Sequence, residues 1–586
     1  MKWNIKSKAP SAFLKQFPEY SSLICNLLYN RNIKTQKQID EFFNPDYLDD
    51  IHDPFLLKGM KKAVTRIIKA IEKKEKIFIY GDYDADGVCS SSILFLTLKE
   101  LGVKNPGIYI PDRDKEGHGL NENSIVSLSE KKANLIITVD CGCTNFKEID
   151  LAKSLGIDVI ITDHHSLRDK IPNAFVLIDP FQKGDKYPFK ELAGAGVTYK
   201  LACALLRSIN KEKSVPFEKW LLDITAIATI ADMMPLIREN RALVKYGLGV
   251  LAQTKWPGLQ ELMKISGIDP KIIHSSKNGE APLTNLNTQM IGFGIGPRLN
   301  AAGRMDHANA AYDLLITKNK EKAVVLAEQI NNNNVKRQSL TDKIVKEIES
   351  RLNKKELENS NCKFIFEGDS DWPVGLVGLI AGKIARKYNV PTIIYQEKKD
   401  LIQASCRSIA QFDLIKAFSK CLNFFDDFGG HKQACGFRMK IKNLSKVKNI
   451  FGKIAEKELK DVNMEQSLDI DAEMQLEDIN WKSYDCIQNF APFGIGNLEP
   501  KFLVKKAEII SCRTVGNGDK HLKLELIVFG KKSMIKKVNA IAFGMGDKNE
   551  ALKKENLVDI VFELILNEWN NNRSLEMKII DLRLSL

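Results

Sequence analysis

Two short acidic clusters contain the residue types that bind divalent metal ions. The first is Asp82-Tyr83-Asp84-Ala85-Asp86-Gly87, and the second is Asp163-His164-His165. Each follows a short apolar run that predicts a buried strand, Lys76–Tyr80 before the first and Val159–Thr162 before the second. Because open α/β sheets build their sites at the carboxyl ends of parallel strands, we expect both clusters to meet at one edge of a sheet.

Two further acids follow predicted elements. Asp140 ends the apolar run Leu135–Val139, and Asp232 follows the helix-like run Leu221–Ile230. Alone, each would be an ordinary polar residue, but with the two clusters they complete an oxygen-rich ligand set that favours Mg²⁺ or Mn²⁺ over zinc, and its imidazoles favour Mn²⁺. Two such ions sharing a carboxylate would activate water and stabilise the leaving oxygen of a phosphodiester. The alternative for the first cluster is an acidic cap on the helix predicted at Val88–Leu98.

Composition excludes some classes of protein. The 586-residue chain is 44% hydrophobic and 27% charged, as in globular proteins, and its length predicts several domains. It has no apolar stretch of membrane-spanning length and no apolar signal-peptide core, so we expect no membrane association. Eleven cysteines without framework spacing indicate reduced thiols and a cytoplasmic location. The net charge of +13 fits a nucleic-acid partner, with a lysine-rich composition bias as the alternative.

The predicted fold class is a multidomain α/β protein. Apolar runs alternate with amphipathic segments up to about residue 235, which predicts a doubly wound parallel sheet. The longest helical stretch contains Asn331–Asn334, poor helix formers that suggest a bend or functional exposure. A second α/β unit follows, and then period-two strands that predict a small antiparallel barrel. The expected segments are an N-terminal segment at 1–60, a sheet domain at 61–317, a connecting helix at 318–355, a second α/β domain at 356–464 and the barrel at 465–586.

The two clusters resemble the DHH phosphoesterase superfamily, and further motifs resemble its RecJ family. These motifs, in order along nearly the whole chain, are Pro111-Asp112-Arg113, Glu116-Gly117-His118-Gly119-Leu120, Gly296-Pro297-Arg298-Leu299-Asn300-Ala301-Ala302-Gly303-Arg304, Gly429-Gly430-His431, Pro492-Phe493-Gly494-Ile495-Gly496-Asn497 and His521-Leu522-Lys523-Leu524. The chain departs from the family at His118, where tyrosine is frequent. The resemblance implies a DHH domain, a long connecting helix, a DHH-associated domain and a C-terminal OB-fold.

The resemblance also implies an activity and residue roles. The activity is 5′→3′ hydrolysis of single-stranded DNA to mononucleotides with two divalent cations, Mn²⁺ or Mg²⁺, in DNA repair and recombination. The implied metal-site positions are Asp82, Asp84, Asp86, Asp140, His164 and Asp232, with Asp140 as the bridge. The implied catalytic residues are Asp84, Asp140 and His165, with His165 on the scissile phosphate. The implied 5′-phosphate ligands are Arg113, Arg298, Ser405 and Arg407, and guanidinium groups suit phosphate oxygens. Further implied substrate contacts are Arg304, His431, Phe493 and His521.

Two other functions are alternatives. One is a phosphodiesterase acting on short oligoribonucleotides or cyclic dinucleotides, although such small substrates need no extra barrel. The other is an inactive DNA-binding scaffold, although unpaired buried carboxylates are costly without a metal. The expected partners are single-stranded DNA with a 5′ end and, beyond it, a helicase and a single-strand-binding protein.

Overall fold

The computed structural model describes residues 1–209, 211–274, 281–352, 362–462, 465–475, 478–529, 535–552, 557–569 and 572–585. Within these ranges, no helix has both the length and the apolar character needed to cross a membrane. The predicted fold class, several α/β units followed by a β-barrel, is confirmed.

The N-terminal elements pack on the C-terminal barrel. They are β1 (Lys2–Ile5), α1 (Ser11–Gln16), α2 (Ser22–Asn30) and α3 (Gln36–Phe43). Strand β1 pairs in parallel with Ser467–Ile470, near the other end of the chain. Leu27 and Leu28 of α2 are fully buried in one core with Phe502 and Phe562 of the barrel. The two ends of the chain therefore fold together.

A five-stranded parallel sheet forms the core of the next domain. Its elements are α4 (Met60–Glu72), β2 (Ile77–Gly81), α5 (Ala85–Glu100), β3 (Gly107–Tyr109), α6 (Glu122–Glu130), β4 (Leu135–Val139), α7 (Phe146–Ser154), β5 (Asp158–Thr162), β6 (Val176–Ile178) and α8 (Gly194–Ile209). The strand order is β3-β2-β4-β5-β6, with every pair parallel. Because β2, β4 and β5 are neighbours, the residues that follow them meet at one sheet edge.

Helices extend this domain toward the second α/β unit. They are α9 (Lys211–Trp220), α10 (Leu222–Ala231), α11 (Arg238–Leu251), α12 (Pro257–Ile265), α13 (Gly296–Met305), α14 (Asn309–Ile316) and α15 (Lys320–Arg351), with the short pair β7 (Ile272–His274) and β8 (Leu283–Thr284) and a π-helical segment, Met290–Ile295, before α13. Helix α15 continues through Asn331–Asn334 without a break. Asn331 and Asn334 accept hydrogen bonds from Arg298 and Arg337, so these asparagines position guanidinium groups.

The second α/β unit is a mixed sheet. Its elements are β9 (Ile365–Asp369), α16 (Val374–Tyr388), β10 (Thr392–Lys398), β11 (Leu401–Arg407), α17 (Leu414–Phe418), β12 (Phe425–His431), β13 (Ala434–Lys440) and α18 (Leu444–Glu458). The strand order is β12-β13-β11-β10-β9. Ser405 and Arg407 lie at the end of strand β11. Cys406 between them is fully buried, whereas Ser405 and Arg407 are partly exposed. Alternating burial of this kind is expected of a strand that turns one face to the core.

The C-terminal unit is a closed barrel. Its elements are β14 (Ser467–Ile470), β15 (Ala472–Glu473), α19 (Trp481–Gln488), β16 (Phe502–Val515), β17 (His521–Phe529), β18 (Ile535–Ala542), α20 (Asn549–Leu552), β19 (Leu557–Trp569) and β20 (Asn572–Leu584). Strand β16 pairs with both β17 and β19, which closes the order β16-β17-β18-β20-β19. Closure leaves these five strands without a free edge, as an OB-type barrel requires.

Candidate metal centre and phosphate site

Carboxylates and imidazoles from neighbouring strand ends lie close enough to share metal ions. Three groups have ligand atoms within 4.8 Å of one another: Asp82 with Asp84 and Asp140, Asp86 with His164 and Asp232, and Asp140 with His164 and His165. Asp140 and His164 each belong to two of these groups. The structure thus brings together all the residues predicted to bind metal, and it adds His165 beside them.

The start of α8 holds one carboxylate of this centre. Asp86 accepts hydrogen bonds from the backbone N–H groups of Gly194 and Ala195, both at 2.7 Å. Asp84 caps α5, since it accepts hydrogen bonds from the N–H groups of Asp86 and Gly87 at 2.9 and 3.0 Å. The helix-cap alternative therefore accounts for Asp84, but it does not account for Asp82, whose buried Oδ1 has no hydrogen-bond partner among the described residues.

Two buried carboxylate oxygen atoms are suited to bind a divalent cation. Among the described residues, the Oδ1 atoms of Asp82 and Asp140 are buried and accept no hydrogen bond. Imidazole nitrogens lie beside them without hydrogen-bonding alignment, His118 Nδ1 at 3.1 Å from Asp82 and His164 Nε2 at 3.2 Å from Asp140. Buried carboxylate oxygens without donors are costly, and a divalent cation with oxygen ligands would satisfy both.

The electrostatics of the centre also favour bound positive charge. Burial, and then the neighbouring carboxylates, raise the pKa of Asp84 to about 6 and that of Asp232 to about 8. The same causes raise the pKa of Asp140 well above its usual value. Burial lowers the pKa of His164, which keeps its imidazole neutral and able to bind metal. A cation among these groups would remove the repulsion between the carboxylates.

His165 is positioned by the carboxylate that opens its own motif. Asp163 Oδ1 lies 2.8 Å from His165 Nδ1, and Asp163 also accepts the N–H of Cys143 at 3.0 Å. Burial opposes ionisation of Asp163, but these hydrogen bonds hold its pKa far below the usual range. Burial likewise opposes protonation of His165, yet the bond to Asp163 raises its pKa to about 9. His165 is therefore an imidazolium at neutral pH, with Nε2 available to a phosphate.

His118 is a residue of the site that the sequence reasoning did not assign. Its half-exposed ring lies between Asp82 and His165, with a ring-centroid distance of 5.9 Å to His165. Gly117 and Gly119 flank it with φ of 82° and 78°, a conformation that suits glycine. A Cβ at Gly119 would lie 2.6 Å from Asn145 Oδ1. The sequence feature that could have identified His118 as a site residue is its position between two glycines, where the family frequently has tyrosine.

Three arginines form a positive cluster beside the metal centre. The Arg113 guanidinium lies 5.1 Å from the ring centroid of Tyr83, and Arg304 donates to the Gly375 carbonyl at 3.0 Å. Arg407 donates to Ser405 Oγ at 3.1 Å and to the Cys406 carbonyl. Burial lowers the pKa of Arg304 to about 9 and also lowers that of Arg407, and the Arg113 charge acts in the same direction on both. Guanidinium groups held so close together suit a multiply charged anion.

Arg298 does not join this cluster. It donates to the Gly294 carbonyl at 2.7 Å and to Asn331 Oδ1 at 3.0 Å. Asn300, two residues on, bonds the N–H of Ala85, so the face of α13 turned to the acidic cluster carries Asn300 and not Arg298. Arg304, expected as a substrate contact, lies near Arg113 and Asp84, since both charges shift its pKa.

The other predicted substrate contacts lie farther apart. Phe493 packs against the barrel core, and its carbonyl accepts a hydrogen bond from Thr288, so it belongs to a domain junction and not to an open stacking surface. His431 is exposed at the end of edge strand β12. His521 lies on the barrel, where its ring is 5.2 Å from that of the exposed Phe543.

Family models match the chain in the order of its domains. They are the DHH family N-terminal domain at 76–229, the DHHA1 domain at 361–459 and the RecJ OB domain at 470–581. Together with the acidic centre at the strand ends, these domains define a DHH phosphoesterase.

Relatives that match nearly the whole chain show which family of DHH phosphoesterases it belongs to. The single-stranded-DNA-specific exonuclease RecJ of Bacillus subtilis (strain 168) is 36% identical over 96% of this chain and 68% of its own length. The protein of that name from Salmonella typhimurium is 29% identical over 90% of each chain. A crystal structure of RecJ in complex with Mn²⁺ from Thermus thermophilus has a TM-score of 0.82 and 25% identity, covering 99% of this chain and 79% of that one. The chain belongs to the RecJ family, and the family resemblance predicted from the sequence is confirmed.

Proposed function

We propose that this chain is a metal-dependent exonuclease that hydrolyses single-stranded DNA from its 5′ end to mononucleotides. The observation that carries the proposal is the position of the arginine cluster next to the metal centre. The Asp84 carboxylate is near enough to Arg304 to influence its pKa. A site for a terminal phosphate beside a centre that cuts phosphodiesters selects a strand end and sets the direction of cleavage.

Seven side chains have roles at the reacting bond. Asp82, Asp84 and Asp140 would hold one cation, and Asp86, His164 and Asp232 would hold the other, with Asp140 as the carboxylate that both could share. When bound, the two cations activate water and stabilise the leaving oxygen. The imidazolium of His165, oriented by Asp163, donates a hydrogen bond to the scissile phosphate from Nε2.

The terminal phosphate is held by residues of two domains. Arg113 and Arg304 come from the sheet domain, and Ser405 and Arg407 from the end of β11. Gly375 allows the domains to approach closely, since a Cβ there would lie 2.8 Å from the Arg304 carbonyl oxygen. A strand must therefore present its 5′ end between two domains, which favours single strands over duplexes.

The barrel supports a longer substrate. His521 accepts the N–H of Gly544 through Nδ1, and this bond fixes its ring beside Phe543. Exposed aromatic rings on such barrels stack on bases without reading sequence. We place this activity in the cytoplasm, in DNA repair and recombination, together with a helicase that supplies single strands and a single-strand-binding protein.

A time course on end-labelled DNA tests the proposal. A 3′-labelled single strand with a 5′-phosphate should shorten progressively from the 5′ end in Mn²⁺ or Mg²⁺ and release mononucleotides, and a chelator should stop the reaction. A duplex with blunt ends is the matched control and should persist. Cleavage of dinucleotides alone would favour the small-substrate phosphodiesterase, and binding without cleavage would favour the inactive scaffold.

A further inference from the structure

Two cysteines face each other across neighbouring strands of the second α/β unit. Cys406 on β11 is directly opposite Cys435 on β13, in an antiparallel register that runs without a shift along β11. Residues directly opposite each other share one face of the sheet, and both side chains lie in the same hydrophobic core as free thiols. Burial, and then the neighbouring Cys435 thiol, raise the pKa of Cys406 well above its usual value. The two thiols are therefore placed to react with each other.

The backbone hydrogen bonds define the geometry of this pair. The Ser408 N–H donates to the Gln433 carbonyl at 2.8 Å. These residues lie two positions from Cys406 and Cys435 along each strand, and pairs two positions apart in an antiparallel ladder are of the same type. The cysteines are therefore a hydrogen-bonded pair, whose Cα atoms are typically about 5.5 Å apart, within the range of about 4.4–6.8 Å found in disulfides.

A disulfide at this pair would draw the two strands together. The Cβ atoms of a hydrogen-bonded pair are typically about 5.5 Å apart, whereas a disulfide requires about 3.5–4.5 Å. Forming the bond therefore demands a shift of about 1 Å or more, shared between β11 and β13. A disulfide under such strain is more readily reduced than a relaxed one, so the bond would be reversible.

The residues on either side of Cys406 belong to the proposed phosphate site. Ser405 and Arg407 point to the opposite face of β11 from Cys406. There, a Cβ at Gly378 of α16 would lie 3.0 Å from Ser405 Oγ and 3.3 Å from Arg407 Nη2, so little space separates these side chains from the helix. Arg407 Nη1 also donates to the Cys406 carbonyl at 2.8 Å. A movement of β11 at Cys406 would therefore displace the Arg407 guanidinium.

We propose that Cys406 and Cys435 form a reversible disulfide that weakens binding of the 5′-phosphate. The oxidant is a peroxide, which meets Cys435 first, because Cys435 is 5% exposed and Cys406 is fully buried. The Cys435 thiol becomes a sulfenic acid and one water is released. The Cys406 sulfur then attacks the Cys435 sulfur, which forms the S–S bond and expels a second water.

This reaction is balanced by the peroxide alone. The two thiols lose two electrons and two protons, the O–O bond of the peroxide is broken, and a dithiol later reverses the oxidation. Because both thiols are largely buried, the site responds to sustained oxidation. The effect on the phosphate rests on the proposed function, whereas the disulfide itself does not.

Peptide mapping tests the bond. The full chain is treated with hydrogen peroxide, the remaining thiols are blocked with N-ethylmaleimide, and the digest is analysed by mass spectrometry. Peptides joined through Cys406 and Cys435 should appear, and dithiothreitol should separate them. Cys512, which is partly exposed, reports that the peroxide has acted. If Cys512 is oxidised and no joined peptide forms, the proposal is wrong.

Binding in the presence of a chelator measures the consequence without hydrolysis. Oxidation should weaken the affinity of the wild type for a 5′-phosphorylated strand by about 10–100-fold, the loss of one charge-assisted hydrogen bond, and should leave the affinity for a hydroxyl-ended strand nearly unchanged. Dithiothreitol should restore the affinity. Cys435→Ala should bind like the reduced wild type and resist peroxide. Cys421→Ala removes a buried cysteine of the same core but keeps the pair, so it should respond like the wild type.

Two results of this measurement would overturn the proposal. One is a loss of affinity in oxidised Cys435→Ala equal to that of the wild type, and the other is a joined peptide without a change in affinity. If the wild type with metal cleaved no strand, the proposed function would fail, while mapping and binding would still decide whether this disulfide controls the phosphate site.

Discussion

At the scale of single residues, Asp140 is the side chain on which the metal centre depends. It follows β4 with a φ of 61°, a left-handed conformation that is uncommon for residues other than glycine. Its N–H donates to the Thr162 carbonyl of the neighbouring strand, which holds this conformation. This backbone conformation places the carboxylate between Asp82 and Asp84 on one side and His164 and His165 on the other. Among the described residues, its Oδ1 has no hydrogen-bond partner. Strain held by the surrounding structure at such a point is typical of active sites.

Replacing this carboxylate should abolish hydrolysis. We expect Asp140→Asn to lower kcat by more than about 10³-fold, because the variant keeps the shape of the side chain and loses the shared charge. Binding of single-stranded DNA should be nearly unchanged in a mobility-shift assay. Asp150→Asn, an exposed acid on α7, serves as the control. Activity within tenfold of wild type would contradict the bridging role.

The carboxylate Asp232 should make stability depend on pH when metal is removed. Its pKa is near 3.9 in an unfolded chain and about 8 in the folded one, so folding favours the protonated form. The stability that Asp232 contributes to the folded protein is fully present below about pH 4 and is lost as pH rises toward 8. In chelator, the Tm of the wild type should therefore fall relative to Asp232→Asn between pH 5 and 8. Thermal scans of both proteins measure this difference, and a constant gap would exclude the assignment.

Arg304 should decide the preference for a 5′-phosphate. We expect Arg304→Gln to reduce the kcat/KM ratio of phosphorylated to hydroxyl-ended strands by about 10–100-fold, the effect of one lost charge-assisted hydrogen bond or two. Arg298→Gln, on the other face of α13, should leave that ratio unchanged. Equal ratios in the two variants would mean that Arg304 does not hold the terminal phosphate.

At the scale of secondary-structure elements, the start of α8 packs directly against the acidic centre. The N–H groups of Gly194 and Ala195 bind Asp86, and the positive end of the helix dipole faces the carboxylates. A Cβ at Gly194 would lie 2.5 Å from Asp140 Oδ1, so only glycine allows this contact. The helix therefore fixes two carboxylates of the centre relative to each other.

Gly194→Ala should misplace the centre without unfolding the domain. The added methyl group must displace Asp140, and a shift of about 1 Å at a catalytic group costs about 10²-fold in rate. Gly196→Ala is the matched control on the same helix, since the atom nearest to its Cβ would be Leu192 Cβ at 3.2 Å, away from the carboxylates. Kinetics and Tm of both variants test this expectation. Loss of stability without loss of activity in Gly194→Ala would show that the contact is only structural.

Some of these elements could be predicted from the sequence and others could not. Asp82–Asp86, Asp140 and His164 end apolar runs, and neighbouring parallel strands bring such ends together. Arg298 and Arg304 lie on one helix, and no local pattern tells which face of α13 meets the acidic cluster. Phe493 is aromatic within a glycine-rich segment, which is equally typical of an exposed loop and of a packed junction. Long-range packing decides these cases.

At the scale of the whole molecule, Arg241 joins the sheet domain to the barrel. This buried side chain of α11 donates to the carbonyl groups of Asn489, Phe490, Ala491 and Pro492, and to that of Phe42. Burial, and then the charge of Arg31, lower its pKa to about 9. These hydrogen bonds, together with the Phe42 ring 3.9 Å from the guanidinium carbon, join the sheet domain to the barrel.

Arg241→Met should uncouple the barrel from the catalytic domain. Five carbonyl groups would lose this donor, although Asn497 still donates to those of Phe490 and Pro492. Breaking a buried charged network of this kind costs about 3–5 kcal/mol. Calorimetry should resolve two unfolding transitions in the variant and one in the wild type. Cleavage of a dinucleotide should persist, because the metal centre lies within the sheet domain, while cleavage of a long strand weakens. Arg238→Met, an exposed arginine at the start of the same helix, is the control. Other contacts also join the two domains, such as the hydrogen bond from the Leu236 N–H to the Ile495 carbonyl. A single transition at the wild-type Tm would show that these contacts hold the domains together without Arg241.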